Sequence, residues 1–198
     1  MFNRMQCPYC QATLTETSEE CPSCQLSLQR ANALLGPMPR FGKGLVDTLG
    51  MLEKGAGKKI SNALNTISRR FPQVEMHLLI KEFDPQYPLS THLFWLLNQG
   101  EFCASDRKDG KNHSILLGLD PRQGSIGLIV GYGLEPFLAQ KALDHVLEKA
   151  QASLGSADHT KAILTIIDSL QELMEEICDG LGQTTDPRAT KVSTTIDY

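Results

Sequence analysis

The chain has 198 residues, 41% of them hydrophobic, and a formal net charge of −4. That length suits one ordinary domain or one domain with a small satellite, and the apolar fraction is enough for a packed core. Only 16 Gly and 10 Pro exclude collagen-like and Gly/Ser-rich chains, the long aliphatic segments exclude wholesale disorder, and the negative total argues against a protein that coats nucleic acid.

The charge is unevenly spread. Residues 1–73 carry 9 Lys/Arg against 5 Asp/Glu, whereas residues 74–198 carry 10 against 18. The sign change suggests two units, but it does not fall on a unit boundary: the basic excess straddles the connector and the first helix of the main domain, which holds Lys58, Lys59, Arg69 and Arg70. The division into units therefore rests on the cysteines.

Six cysteines are present, four of them in two pairs near the start: Cys7-Pro8-Tyr9-Cys10 and Cys21-Pro22-Ser23-Cys24. A two-residue gap lets both sulfurs converge on one ion while the turn's backbone N–H groups point at the thiolates. Two such knuckles give tetrahedral four-thiolate coordination, which suits Zn²⁺. Iron in a rubredoxin-like site uses the same ligands, and spacing does not separate the two metals. Disulfides fit a reducing compartment poorly, and a redox pair needs only one Cys-x-x-Cys. Four cysteine ligands leave no open position, so the site is expected to be structural, and a unit of 28 residues needs the metal to fold. Residues 1–28 resemble the short N-terminal zinc ribbons attached to many bacterial proteins. No apolar leader segment and no run long enough to span a membrane is visible, which makes a cytoplasmic location the default expectation.

Residues 29–57 read as a glycine-rich, mobile connector. Leu45, Leu49 and Leu52 recur at helical spacing, so a short amphipathic helix is expected over residues 42–54. Residues 58–180 form the main domain. Ile60, Leu64, Ile67 and Phe71 mark one face of a helix that ends before Pro72. A strand follows over residues 74–83, then an aromatic helix over 88–99 and a polar loop over 101–113. A hairpin with strands at 114–119 and 125–131 comes next. A helix over 136–154 has Pro136 in its first turn. Asp158 is placed to cap a last helix over 160–177. Residues 181–198 read as a loose polar tail. A strand, a crossover helix and a second strand make a right-handed βαβ unit with parallel strands, and the hairpin adds an antiparallel third. The expected fold class is α/β: a three-layer sandwich with a mixed β-sheet flanked by helices, plus the small N-terminal zinc ribbon.

The hairpin carries the most informative string. Its first strand reads Ser114-Ile115-Leu116-Leu117-Gly118-Leu119 and runs into the turn at Asp120-Pro121-Arg122. Its second ends in Gly131-Tyr132-Gly133-Leu134-Glu135. With the preceding helix that bears Leu93, Phe94, Leu97 and Asn98, and the two helices that follow, residues 58–180 resemble the TPM-domain family. The resemblance implies a mixed α/β sandwich. Family members include a plant thylakoid-lumen protein described as an acid phosphatase and linked to photosystem repair, and some members bind calcium. Where members have Asp-Asn-Gly before the second strand, this chain has Asn112, His113 and Ser114, which removes a hard oxygen ligand that calcium favours.

Gly131 and Gly133 are expected to allow positive φ and close backbone approach. Glu135 is expected at the mouth of the following helix, where the helix dipole favours a carboxylate. Antiparallel pairing brings Glu135 beside the polar loop, giving a candidate cleft of Asp109, Asn112, His113, Tyr132 and Glu135. Within it Glu135 and His113 are the catalytic candidates, and Asp109, Asn112, Tyr132 and Glu135 the calcium or ligand candidates. Asp84 and Asp120 fall at the opposite edge as turn residues. Cys103 and Cys178 are expected to be core or near-core thiols, with Cys178 on the buried side of the last helix. No phosphate loop, Gly-x-Ser-x-Gly, His-Glu-x-x-His or Gly-x-Gly-x-x-Gly motif is present. The leading functional expectation is a non-catalytic partner-binding or stress/repair accessory role, with a protein partner. The alternatives are a phosphatase using the Glu135 cleft and a nucleic-acid-associated zinc-ribbon protein.

Overall fold

The computed structural model describes residues 6–15, 17–35, 44–100 and 111–184, with side chains as far as residue 180. Among these residues the chain forms five helices and a mixed four-stranded sheet: α1 (Leu28–Leu35), β1 (Leu45–Asp47), α2 (Lys54–Arg70), β2 (Glu75–Ile80), α3 (Leu89–Gln99), β3 (Ser114–Asp120), β4 (Ser125–Val130), α4 (Gln140–Gly155) and α5 (His159–Thr184). Strand order is β1-β2-β3-β4. The first two pairings are parallel and the β3–β4 hairpin is antiparallel.

β3 is buried along its whole length because helices cover both faces. Side chains alternate across it. Ile115, Leu117 and Leu119 point into a core shared with α2, α4 and α5. Leu116 points the other way, into a second cluster with Leu93, Trp95, Leu96 and Leu97 of α3 and with Cys7, Cys21, Leu26 and Ala31 near the N-terminus. α3 fits closely because Gly118 and Gly127 are register partners across the hairpin. A Cβ at Gly118 would overlap the Leu93 side chain, and one at Gly127 would lie 3.1 Å from both Leu89 and Leu93.

The helix expected over residues 42–54 is replaced by the edge strand β1, and α2 begins at Lys54 rather than at residue 58. Gly44 and Gly50 take φ of +75° and +63°, the left-handed region, which interrupts a helical run. Leu45 and Leu52 still pack on the inner core, so their spacing served a strand and a turn. Asp47 organises that turn, accepting the Leu49 amide at 3.1 Å and the Leu52 amide at 2.9 Å. Part of the expected connector is the ordered helix α1.

The helix expected from residue 136 begins at Gln140, and residues 131–139 form successive turns that bury Leu134 and Leu138. The last helix is capped as expected, with Asp158 Oδ1 accepting the Lys161 amide at 3.0 Å. It runs on to Thr184, past the expected end at residue 177. Cys178 is exposed, which corrects its expected burial, and Cys103 lies outside the described residues.

Candidate metal centre and cleft

The two knuckles fold alike. Cys7 N–H donates to the Ala12 carbonyl and Cys21 N–H to the Leu26 carbonyl, while Gln11 and Gln25 amides return to the Cys7 and Cys21 carbonyls, all at 2.8–2.9 Å. Gln11 and Gln25 both sit at φ +59°. The repeated unit is thus Cys-Pro-x-Cys-Gln, in which the glutamine takes the left-handed position that closes the turn. The sequence carried this repeat, but spacing arguments stop at the cysteines and miss the glutamines. Single antiparallel bridges flank the knuckles, Gln6 to Thr13 and Glu20 to Ser27.

The four sulfurs of Cys7, Cys10, Cys21 and Cys24 lie within 4.8 Å of one another, close enough to hold one metal ion. Cys7 Sγ is 3.6 Å from Cys24 Sγ, and Cys10 Sγ is 3.5 Å from Cys21 Sγ. A tetrahedral ion with metal–sulfur bonds of 2.3 Å has sulfur–sulfur edges of about 3.8 Å, so the cluster fits with little adjustment. The amides of Cys24 and Ser23 favour the Cys21 thiolate, holding that thiol down to about 6 against the opposing effect of burial. Burial pushes Cys24 up to about 12 and raises Cys7. Without a cation, four converging thiolates are disfavoured. A divalent ion held by Cys7, Cys10, Cys21 and Cys24 would supply the missing charge and favour loss of the remaining thiol protons.

The second candidate region is built from the end of β4. The Gly131 amide donates to the Ser114 carbonyl at 2.8 Å and the Gly133 amide to the Asn112 carbonyl at 2.9 Å. The glycines are there for close approach alone. A Cβ at Gly131 would overlap the Lys111 and Asn112 carbonyl oxygens, and one at Gly133 would come within 2.7 Å of His113 Nε2. Neither takes positive φ, which corrects that expectation. Asn112 and His113 thus lie against the Gly131–Gly133 turn, Glu135 is near enough to Tyr132 for its charge to act on it, and Asp109 lies outside the described residues. Glu135 sits five residues before α4, so the helix-dipole argument does not apply to it. Burial raises its carboxyl above the ordinary range, and burial with the Glu135 charge raises Tyr132. Tyr132 and Phe137 remain 54% and 51% exposed. Among the described residues, the four cysteines are the one group of three or more His, Cys, Asp or Glu close enough to share an ion.

At the opposite edge, Asp120 is fully buried. Its carboxylate accepts the amides of Phe83, Arg122 and Gln123 and the Gln123 side-chain amide, at 2.8–3.1 Å. Burial opposes its charge, but these donors outweigh that and hold the carboxyl below its ordinary value. It is a turn residue, as expected. Beside it opens a cavity of about 630 Å³, lined by Tyr9, Phe83, Pro85, Tyr87 and Gln123 among others, with no charged side chain among the described residues. Sequence reasoning missed it because its walls come from three distant segments.

The fold has solved counterparts. The chain is similar to the N-terminal domain of the cg2496 protein of Corynebacterium glutamicum at TM-score 0.50 and 16% identity, covering 83% of this chain and 93% of that one. It is similar to the N-terminal domain of a P. gingivalis protein at TM-score 0.50 and 16% identity, covering 67% and 82%. It is also similar to the BA42 protein of the psychrophilic bacterium Bizionia argentinensis at TM-score 0.55 and 8% identity, covering 66% and 86%. At these identities the likeness speaks for the fold alone. No family model matches the chain, and no curated protein matches it. Among the described residues no helix is long and apolar enough to cross a membrane.

Proposed function

We propose that the chain is a TPM-domain protein with a structural zinc ribbon, acting as a non-catalytic accessory protein that binds a protein partner in the cytoplasm. The observation that carries the reading is the four-sulfur cluster. Four thiolates complete a tetrahedral ion and leave no position for substrate or water, which suits structure rather than chemistry. Zinc is preferred to iron because a closed structural site needs no redox change. The TPM assignment draws on the hairpin string ending at Glu135 and on the order of the surrounding helices. Exposed Tyr132 and Phe137, either side of Glu135 in the chain, suit protein recognition, where aromatic side chains are enriched.

Metal analysis of the purified chain tests the first half. One zinc per chain is expected, falling to none in Cys21→Ser, whereas unchanged zinc in that variant would overturn the assignment. The second reading, a phosphatase, draws on the raised Glu135 carboxyl and on the closeness of His113 to the Gly131–Gly133 turn. Hydrolysis of p-nitrophenyl phosphate that disappears in Glu135→Gln would favour the phosphatase, and no hydrolysis by the metal-loaded chain favours the accessory role.

A further inference from the structure

Two hydrogen-bonded clasps join the knuckle region to helix α3. Ser90 Oγ and Thr91 Oγ1, in the first turn of α3, both donate to the Pro8 carbonyl, at 2.5 and 3.2 Å. Pro8 directly follows Cys7 inside the first knuckle. One helical turn further on, Trp95 Nε1 donates at 2.6 Å to Asn32 Oδ1 of α1, the helix that begins four residues after Cys24. Between these two clasps, Cys7, Cys21, Leu26 and Ala31 share an apolar cluster with Leu93, Trp95, Leu96 and Leu97. The inner side of α3 rests on the sheet through Leu93, and the ribbon and α1 cover its outer side. Trp95 is 4% exposed as a result.

The clasp atoms hold their places only while the knuckles hold their shape. Each knuckle has one flanking antiparallel bridge, and a unit this small cannot close a core of its own. A metal on four thiolates is what fixes such a unit. The α/β core behind α3 depends on it far less, because the inner cluster draws on α2, α4, α5 and the sheet and includes none of the described ribbon residues.

We propose that metal occupancy of the four-cysteine centre works as a latch: the loaded ribbon covers the outer face of α3, and the metal-free ribbon releases it. The proposal rests on the reading of Cys7, Cys10, Cys21 and Cys24 as metal ligands. Release frees the Pro8 carbonyl from Ser90 and Thr91, uncovers Trp95 and the apolar residues beside it, and withdraws Tyr9 from the wall of the 630 Å³ cavity.

Trp95 is the only tryptophan in the chain, so its fluorescence reports the covered face directly. The full-length zinc-loaded chain is stripped with a chelator while metal content, Trp95 emission, acrylamide quenching and far-ultraviolet circular dichroism are followed. Expected on stripping are a red-shifted emission and a several-fold rise in quenching, with most helical signal retained, all reversed by zinc. In the double variant Ser90→Ala/Thr91→Val, full metal content but raised quenching is expected before any chelator is added. Metal that binds and leaves without a Trp95 response overturns the latch and spares the ligand assignment. Loss of most helical signal on stripping also overturns it, since the face would not be uncovered selectively, as does wild-type quenching in the double variant. A purified chain that binds no metal overturns the latch and the ligand assignment together.

Discussion

Asp120 shows how one residue can be identified in part from sequence. A local rule, Asp before Pro in a turn, marked it as a turn former, and its hydrogen bonds within residues 120–123 agree. The Phe83 amide, 37 positions away, was not legible, because only the parallel pairing of β2 and β3 brings it there. Replacing Asp120 by Ala leaves several buried donors unpaired, and a loss of about 3 kcal/mol is expected from denaturant titration. The pH dependence follows from the direction of the shift. The folded-state carboxyl lies below its ordinary value, so its stabilisation is present above about pH 4 and is lost as pH falls through the folded value. His92 adds an earlier acid-sensitive step. Burial holds its imidazole below the ordinary value near 6.5, so the neutral ring is the stable folded form and stability begins to fall as pH drops below that value. Denaturant midpoints measured from pH 7 to pH 2 should decline in both windows, and in Asp120→Asn the lower window should flatten.

At the scale of elements, periodicity succeeded where an element buries one face and failed where glycines reset the backbone. α3, β3 and β4 appear within a residue or so of their expected bounds. The Leu45, Leu49 and Leu52 series read as a helix because three apolar residues at that spacing fit one, and nothing local marks Gly44 and Gly50 as left-handed. Residues 136–139 read as a helix start because Pro136 suits a first turn, yet the need to bury Leu134 and Leu138 keeps residues 131–139 in turns. The seating of α3 on the hairpin gives a test at this scale. Gly118→Val places a branched side chain against Leu93, which is itself fully buried, and an overpacking loss of about 2–3 kcal/mol is expected. Gly127→Ala meets Leu89 and Leu93 at 3.1 Å and should cost less. Equal losses at the two positions in thermal unfolding would count against this account of the packing.

For the whole molecule, the ribbon and the α/β layers are joined by a face as well as by the chain. Sequence alone treated residues 1–28 as a unit attached through a connector. In the structure, the ribbon shares its apolar cluster with the helix that covers the outer side of the sheet. Metal binding should therefore stabilise more than the ribbon. With free zinc at a hundredfold its dissociation constant, linkage adds about 2.7 kcal/mol to the unfolding of whatever depends on the ion. Calorimetry with and without zinc should show that gain, together with a metal-dependent change in the environment of Trp95. The four-cysteine cluster was legible in the sequence because each Cys-x-x-Cys turn brings its own two sulfurs together and the short spacer leaves the two knuckles little choice but to meet. The layer order was legible because hydrophobic period and chain order leave few sheets to build. The second cluster, the buried partners of Asp120 and Trp95, and the 630 Å³ cavity were decided by tertiary structure alone. Each joins segments tens of residues apart, and no local pattern records which distant surface a side chain will meet.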